Sequence, residues 1–260
     1  MQNTFIYYIM KQAGTIPING SATITEIVKA DYRTADVFRK HGIEFCCGGR
    51  RPLEMVCEEQ GVDTEMLQQE LEQATKKVYL PNNLNFNDWS IEFLVDYIIN
   101  IHHEYLKKSV HPAQEYLARF AEGHSKKFPY VIELTATFNS LVKEILPEIG
   151  EEEDIIFPYI RQVSHAYNSK APYAGLLVRT LRKPVKNITQ SKHQSVYMSL
   201  LRMRELSDHY TAPENACPNH KVTFQKLKEI DDDLIQHLYL ENSVLFPKAV
   251  ALEKELLEMS

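Results

Sequence analysis

The chain of 260 residues is 44% hydrophobic, carries a formal charge of −6 and contains 9 glycines. That composition fits one large domain or a small and a medium one, and it argues against a loop-rich or all-β protein. No basic excess points to nucleic acid, and no apolar run approaches the roughly 18–20 residues that span a bilayer, so neither nucleic acid nor a membrane is an expected partner.

Residues 1–20 begin MQNTFIYYIMKQ. This short apolar patch has no positively charged segment before it and reads as an N-terminal extension, not a signal peptide. Residues 21–77 read as a small domain of short helices. Thr23 and Glu26 have the spacing of a capping box, Arg33 to Lys40 forms a second helix ended by His41-Gly42, and Pro52 to Gln60 a third closed by Gly61. Asp63 then caps a polar helix running past Leu71. The stretch 78–89 contains Pro81 and four asparagines, the composition of a linker.

Residues 90–260 carry four long helical patterns, over roughly 90–110, 130–165, 187–210 and 219–255. Pro112, Gly123, Pro129, Pro184 and Pro213 fall at or near their boundaries. Four such helices predict an all-α antiparallel four-helix bundle. The connection over 166–186 is longer, and its Arg179, Arg182, Lys183 and Lys186 read as a solvated face.

The chemistry lies in the buried stripes. On the fourth helix Leu227, Ile230, Leu234, His237, Glu241 and Leu245 recur at spacings of three and four. On the second, Val131, Leu134, Phe138, Leu141, Ile145, Glu148, Glu152 and Ile156 do the same. Both helices then continue alike: Phe157-Pro158 follows Glu152 by five residues, as Phe246-Pro247 follows Glu241. A bare carboxylate in a core costs several kcal/mol or more. Residues four apart on a helix project the same way, so a cation gripped between the helices would balance the charge. A slight rotation of either stripe would instead leave these acids at the bundle edge in water.

The first helix offers His102 and His103, and periodicity does not choose between them: His102 is in phase with Ile91, Leu94, Ile98 and Tyr105, His103 with Val95, Ile99, Leu106 and Val110. The third offers His193, in phase with Val196, Tyr197 and Leu200. Imidazole nitrogen with carboxylate oxygen suits iron, manganese or zinc. At least three histidines with two glutamates able to bridge favour a pair of metals. A structural zinc site would more often use cysteine, and none sits in these stripes.

The four cysteines, Cys46, Cys47, Cys57 and Cys217, include an adjacent pair, which is no secreted disulfide framework and fits a reducing cytosol. Cys57 reads as core and Cys217 as incidental. Cys46 and Cys47 precede two glycines and lie near Arg50 and Arg51. Thiols so placed can have lowered pKa values and handle metal or electrons, or they can pack and support a dimer.

The run Glu44-Phe45-Cys46-Cys47-Gly48-Gly49, followed by a hemerythrin-like bundle with His237-x-x-x-Glu241-x-x-x-x-Phe246-Pro247, resembles the repair-of-iron-centres (RIC) family of di-iron proteins. The resemblance covers residues 21–250. It implies a cytoplasmic stress protein with two non-haem iron ions, manganese or zinc being possible substitutes, that restores iron–sulfur clusters damaged by nitric oxide or peroxide. Damaged iron–sulfur proteins would be its partners, and a homodimer through the small domain is one assembly open to it. The implied ligands are His103, His193, His237, Glu241 and Glu152. The family has a histidine four residues before that last glutamate; here the position is Glu148, which would give three histidines and three carboxylates. His124 matches a family loop histidine near the site but outside its ligands. An oxygen- or nitric-oxide-binding module, a di-iron nitric oxide reductase or peroxidase, and a zinc-filled structural bundle are the alternatives.

Overall fold

The structure, a computed structural model, describes residues 18–45, 49–76, 84–181 and 185–258, the side chains of 181–192 excepted. Residues 1–17 of the N-terminal extension, the Cys46–Cys47 pair, residues 78–83 of the linker, Arg182 and Lys183 lie outside the described residues, as does the Lys186 side chain. The described chain is helical, with one isolated antiparallel bridge between Thr23 and Pro52. None of its helices is long and apolar enough to cross a membrane. The chain divides into two compact units, residues 1–80 with 212–225, and residues 81–211 with 226–260.

The first unit contains α1 (Ile24–Ala30), α2 (Thr34–Lys40), α3 (Leu53–Gln60) and α4 (Thr64–Thr75). The capping box forms: the Glu26 N–H donates to Thr23 Oγ1 at 3.3 Å, and the Thr23 N–H donates to Glu26 Oε2 at 2.9 Å. Gly61 ends α3 at φ +67°, where a side chain would be strained. Ile24, Phe38, Leu53, Leu67 and Leu71 form the core, and Cys57 is buried with them.

In the second unit α5 (Ile91–Tyr97) and α6 (Glu104–His124) are joined through a π-helical turn, Ile98–His103. The same device joins α7 (Tyr130–Glu151) to α8 (Phe157–Asn168) through Glu152–Ile156. After α9 (Ala174–Leu181) and α10 (Val185–Leu206), it joins α11 (Pro218–Tyr239), whose residues 218–225 belong to the first unit, to α12 (Phe246–Glu258) through Leu240–Leu245. α7 packs on α6 and α10, and α12 on α8 and α9.

Pro112 does not end the first bundle helix, which runs on to His124. Proline removes the N–H that would pair with the Lys108 carbonyl, but Lys108 is exposed, so water can take that carbonyl. Two apolar layers result. One contains Ile98, Phe157, Ile160, Val163, Val244 and Phe246, and the other Leu106, Val110, Phe138, Ile145, Leu200 and Leu234. The titratable residues of the first, second and fourth bundle helices lie between them in sequence, and on α10 His193 precedes Leu200. Burial of each such large apolar side chain contributes about 1.5–3 kcal/mol, which offsets the cost of the polar layer.

Candidate metal centre

The three π-helical turns fall where the candidate ligands are. In a π turn one extra residue is accommodated, and such turns cluster at functional sites. The Phe157 N–H donates to the Glu152 carbonyl, and the Phe246 N–H to the Glu241 carbonyl, each five residues back. The repeated spacing from glutamate to Phe-Pro therefore marks a π turn: the proline that follows has no N–H to continue the ladder.

The structure brings together all six candidate ligands. His103, Glu152, His237 and Glu241 form one group, and Glu148, Glu152 and His193 a second, the donor atoms of each lying within 4.8 Å of one another. All six residues are buried. His103 Nε2 and His237 Nε2 are 3.1 Å apart. Glu152 turns Oε2 to His103 Nε2 at 3.5 Å and Oε1 to His193 Nε2 at 3.6 Å. Glu241 turns Oε1 to His237 Nε2 at 3.0 Å and Oε2 to His193 Nε2 at 3.4 Å. Glu152 is thus shared by both groups, and Glu241, a member of the first, turns its other oxygen to His193 of the second. Glu148 Oε1 lies 3.3 Å from His193 Nε2.

Hydrogen bonds behind His103 and His193 aim their Nε2 atoms inward. His103 Nδ1 lies 2.9 Å from Glu153 Oε1, and His193 Nδ1 lies 2.9 Å from Asn242 Oδ1. Glu153 and Asn242 each directly follow a glutamate that faces both groups. His102 is buried but outside the groups; its Nδ1 lies 2.9 Å from Asp233 Oδ1, and its ring stacks on His237 at 6.0 Å. Sequence reasoning missed Glu153, Asn242 and Asp233. Asp233 had a signal, since it precedes His237 by four residues on one helix face.

His124 is the last residue of α6, not a loop residue near the site. It lies 21 residues beyond His103 along one helix, which at 1.5 Å per residue is about 30 Å. The unexpected length of the helix past Pro112 carries it away. Its Nδ1 lies 3.2 Å from the Phe120 carbonyl.

The electrostatics are those of a site built for cations. Burial, and then the Glu241 charge, push the Glu152 carboxyl above its ordinary pKa. Burial would lower His237, but the Glu241 carboxylate outweighs it and raises the imidazole to about 9. Burial would raise Glu241, but the charge of His237 and the neighbouring His103 imidazole hold it well below the carboxylate range. Burial likewise opposes protonation of His193, while Glu152, Glu241 and Glu148 favour it. Protons therefore hold together what metal would otherwise bind. Neither oxygen of Glu152 or Glu241, nor His193 Nε2, has a hydrogen-bond partner. Buried polar atoms left so are costly, and metal coordination would satisfy all of them.

Fold and donor set define a four-helix-bundle metalloprotein of carboxylate–imidazole type. Residues 95–249 match the family described as hemerythrin HHE cation binding domain, and residues 20–75 match Domain of Unknown function (DUF542), ScdA_N. Among similar proteins, the iron-sulfur cluster repair protein ScdA of Staphylococcus haemolyticus is 26% identical over 235 residues, covering 89% of this chain and 99% of the relative. ScdA of Staphylococcus epidermidis is 29% identical, covering 85% and 95%. The iron-sulfur cluster repair protein YtfE of an Enterobacter species is 26% identical, covering 87% and 95%. The chain belongs to the hemerythrin HHE cation-binding family and, with both domains in this order, to its RIC branch.

Proposed function

We propose that the protein repairs iron–sulfur clusters damaged by nitrosative or oxidative stress, with two non-haem irons held in its bundle and iron–sulfur proteins of the cytoplasm as its clients. The observation that carries the reading is the pair of buried glutamates, Glu152 and Glu241, each turning one oxygen toward His193 and the other toward His103 or His237. Relatives named for cluster repair match over both domains and nearly their whole length, which supports the same role here. A gas-binding bundle alone would not need the N-terminal domain.

His103 and His237 would hold one iron and His193 with Glu148 the other, Glu152 and Glu241 spanning both. Such a pair supplies redox-active iron beside a damaged cluster. The chain's own residues orient the imidazoles through Glu153 and Asn242 and exclude water with apolar layers on either side. Cys46 and Cys47 would handle metal or electrons. Carboxylate oxygen stabilises the higher oxidation state, so Glu148 should give a lower reduction potential than a histidine there. An unchanged potential in Glu148→His would refute that role.

The test is recovery of a nitric-oxide-inactivated cluster enzyme in cells lacking the endogenous protein. The wild-type chain should restore activity and Glu152→Ala should not. Full recovery with Glu152→Ala would remove the bundle from the repair reaction.

A further inference from the structure

The two halves of the site are not alike. Around His193 Nε2 stand three carboxylate oxygens: Glu148 Oε1 at 3.3 Å, Glu152 Oε1 at 3.6 Å and Glu241 Oε2 at 3.4 Å. The other half has two imidazole nitrogens, His103 Nε2 and His237 Nε2, with one oxygen each from Glu152 and Glu241. One half is therefore three oxygens to one nitrogen, the other two to two.

The hydrogen bonds behind the histidines run in the same direction. His103 Nδ1 meets the Glu153 carboxylate, which Lys107 also contacts at 2.7 Å. A carboxylate behind a ligating imidazole raises its basicity. His193 Nδ1 meets a neutral amide, Asn242, on an exposed residue. His193 is thus a weaker nitrogen donor than His103, while His237 Nδ1 has no hydrogen-bond partner. Carboxylate oxygen suits harder ions such as manganese, whereas imidazole suits iron and zinc.

We propose that the two positions differ in metal class: when Mn²⁺ and Fe²⁺ are both offered, manganese collects at the Glu148–His193 position rather than at the His103–His237 position, so that the protein can hold a mixed pair. The inference rests on the two-metal reading above and adds to it which ion goes where.

Metal-free full-length protein is loaded anaerobically with one equivalent each of Mn²⁺ and Fe²⁺. Bound metal is quantified, and crystals are measured at the manganese and iron absorption edges. Manganese should occupy the Glu148–His193 position over the other by about tenfold or more, the scale on which surrounding groups alter metal affinity. Glu148→His should erase that preference. Asn242→Asp keeps all six donor groups but places a carboxylate behind His193, and it should reduce the preference. Manganese spread equally in the wild-type protein, or a preference unchanged in both variants, overturns the proposal and leaves the two-metal reading standing. Fewer than two ions bound per chain overturns the two-metal reading itself.

Discussion

Replacing Glu152 by leucine should stabilise the metal-free protein while abolishing its metal pair. Glu152 is 1% exposed, and neither of its oxygens has a hydrogen-bond partner. Burial and the neighbouring Glu241 charge raise its pKa, which favours the neutral acid. Its penalty in the metal-free fold is then that of an unsatisfied polar group, about 1–3 kcal/mol, not that of a bare buried ion. Leucine removes both oxygens and fills much of the same volume between the apolar layers. A gain of about 1–3 kcal/mol corresponds to roughly 2–10 °C in Tm for a unit of this size. Calorimetry in chelator should show that rise, and the stabilisation that ferrous iron gives the wild type should vanish. A lower Tm in chelator together with undiminished metal binding would refute the reasoning.

Four further outcomes can be checked. His237 is raised from 6.5 to about 9 in the folded, metal-free protein. A raised histidine stabilises fully below its unfolded pKa and loses that contribution as pH rises through the folded value, so between about 6.5 and 9 the chelated protein should lose stability as measured by thermal melts. Metal must displace that proton, so affinity should climb over the same window by up to about tenfold per pH unit; a flat titration series would contradict this. His103→Ala should lose metal, whereas His102→Ala should retain two ions, because only His103 Nε2 lies among the donors; metal analysis of both variants decides. Arg204→Ala should cost about 3–5 kcal/mol in denaturant unfolding, because it removes the cation from buried Asp231, which Arg204 Nε meets at 2.8 Å and the Tyr210 hydroxyl at 2.7 Å.

Much of this site was legible because burying charge is expensive. Glutamates in phase with leucines on two helices already implied a compensating cation, and the structure places Glu152 and Glu241 face to face with histidines from three helices. The π turns were not legible from a single helical period, though they left traces. Both His102 and His103 are buried at the end of the first π turn, although each is in phase with a different set of neighbours. The helix past Pro112 was obscured because a proline's local penalty depends on whether water reaches the abandoned carbonyl, which is a tertiary property. Glu153 and Asn242 lie off the apolar stripes, so no periodicity selects them.

The central claim is a pair of ions spanned by Glu152 and Glu241. It is tested most directly by anomalous diffraction from crystals of anaerobically iron-loaded protein. Two iron peaks should appear, one beside His103 and His237 and one beside Glu148 and His193. A bundle with no iron between these side chains, or iron bound elsewhere on the chain, would contradict it.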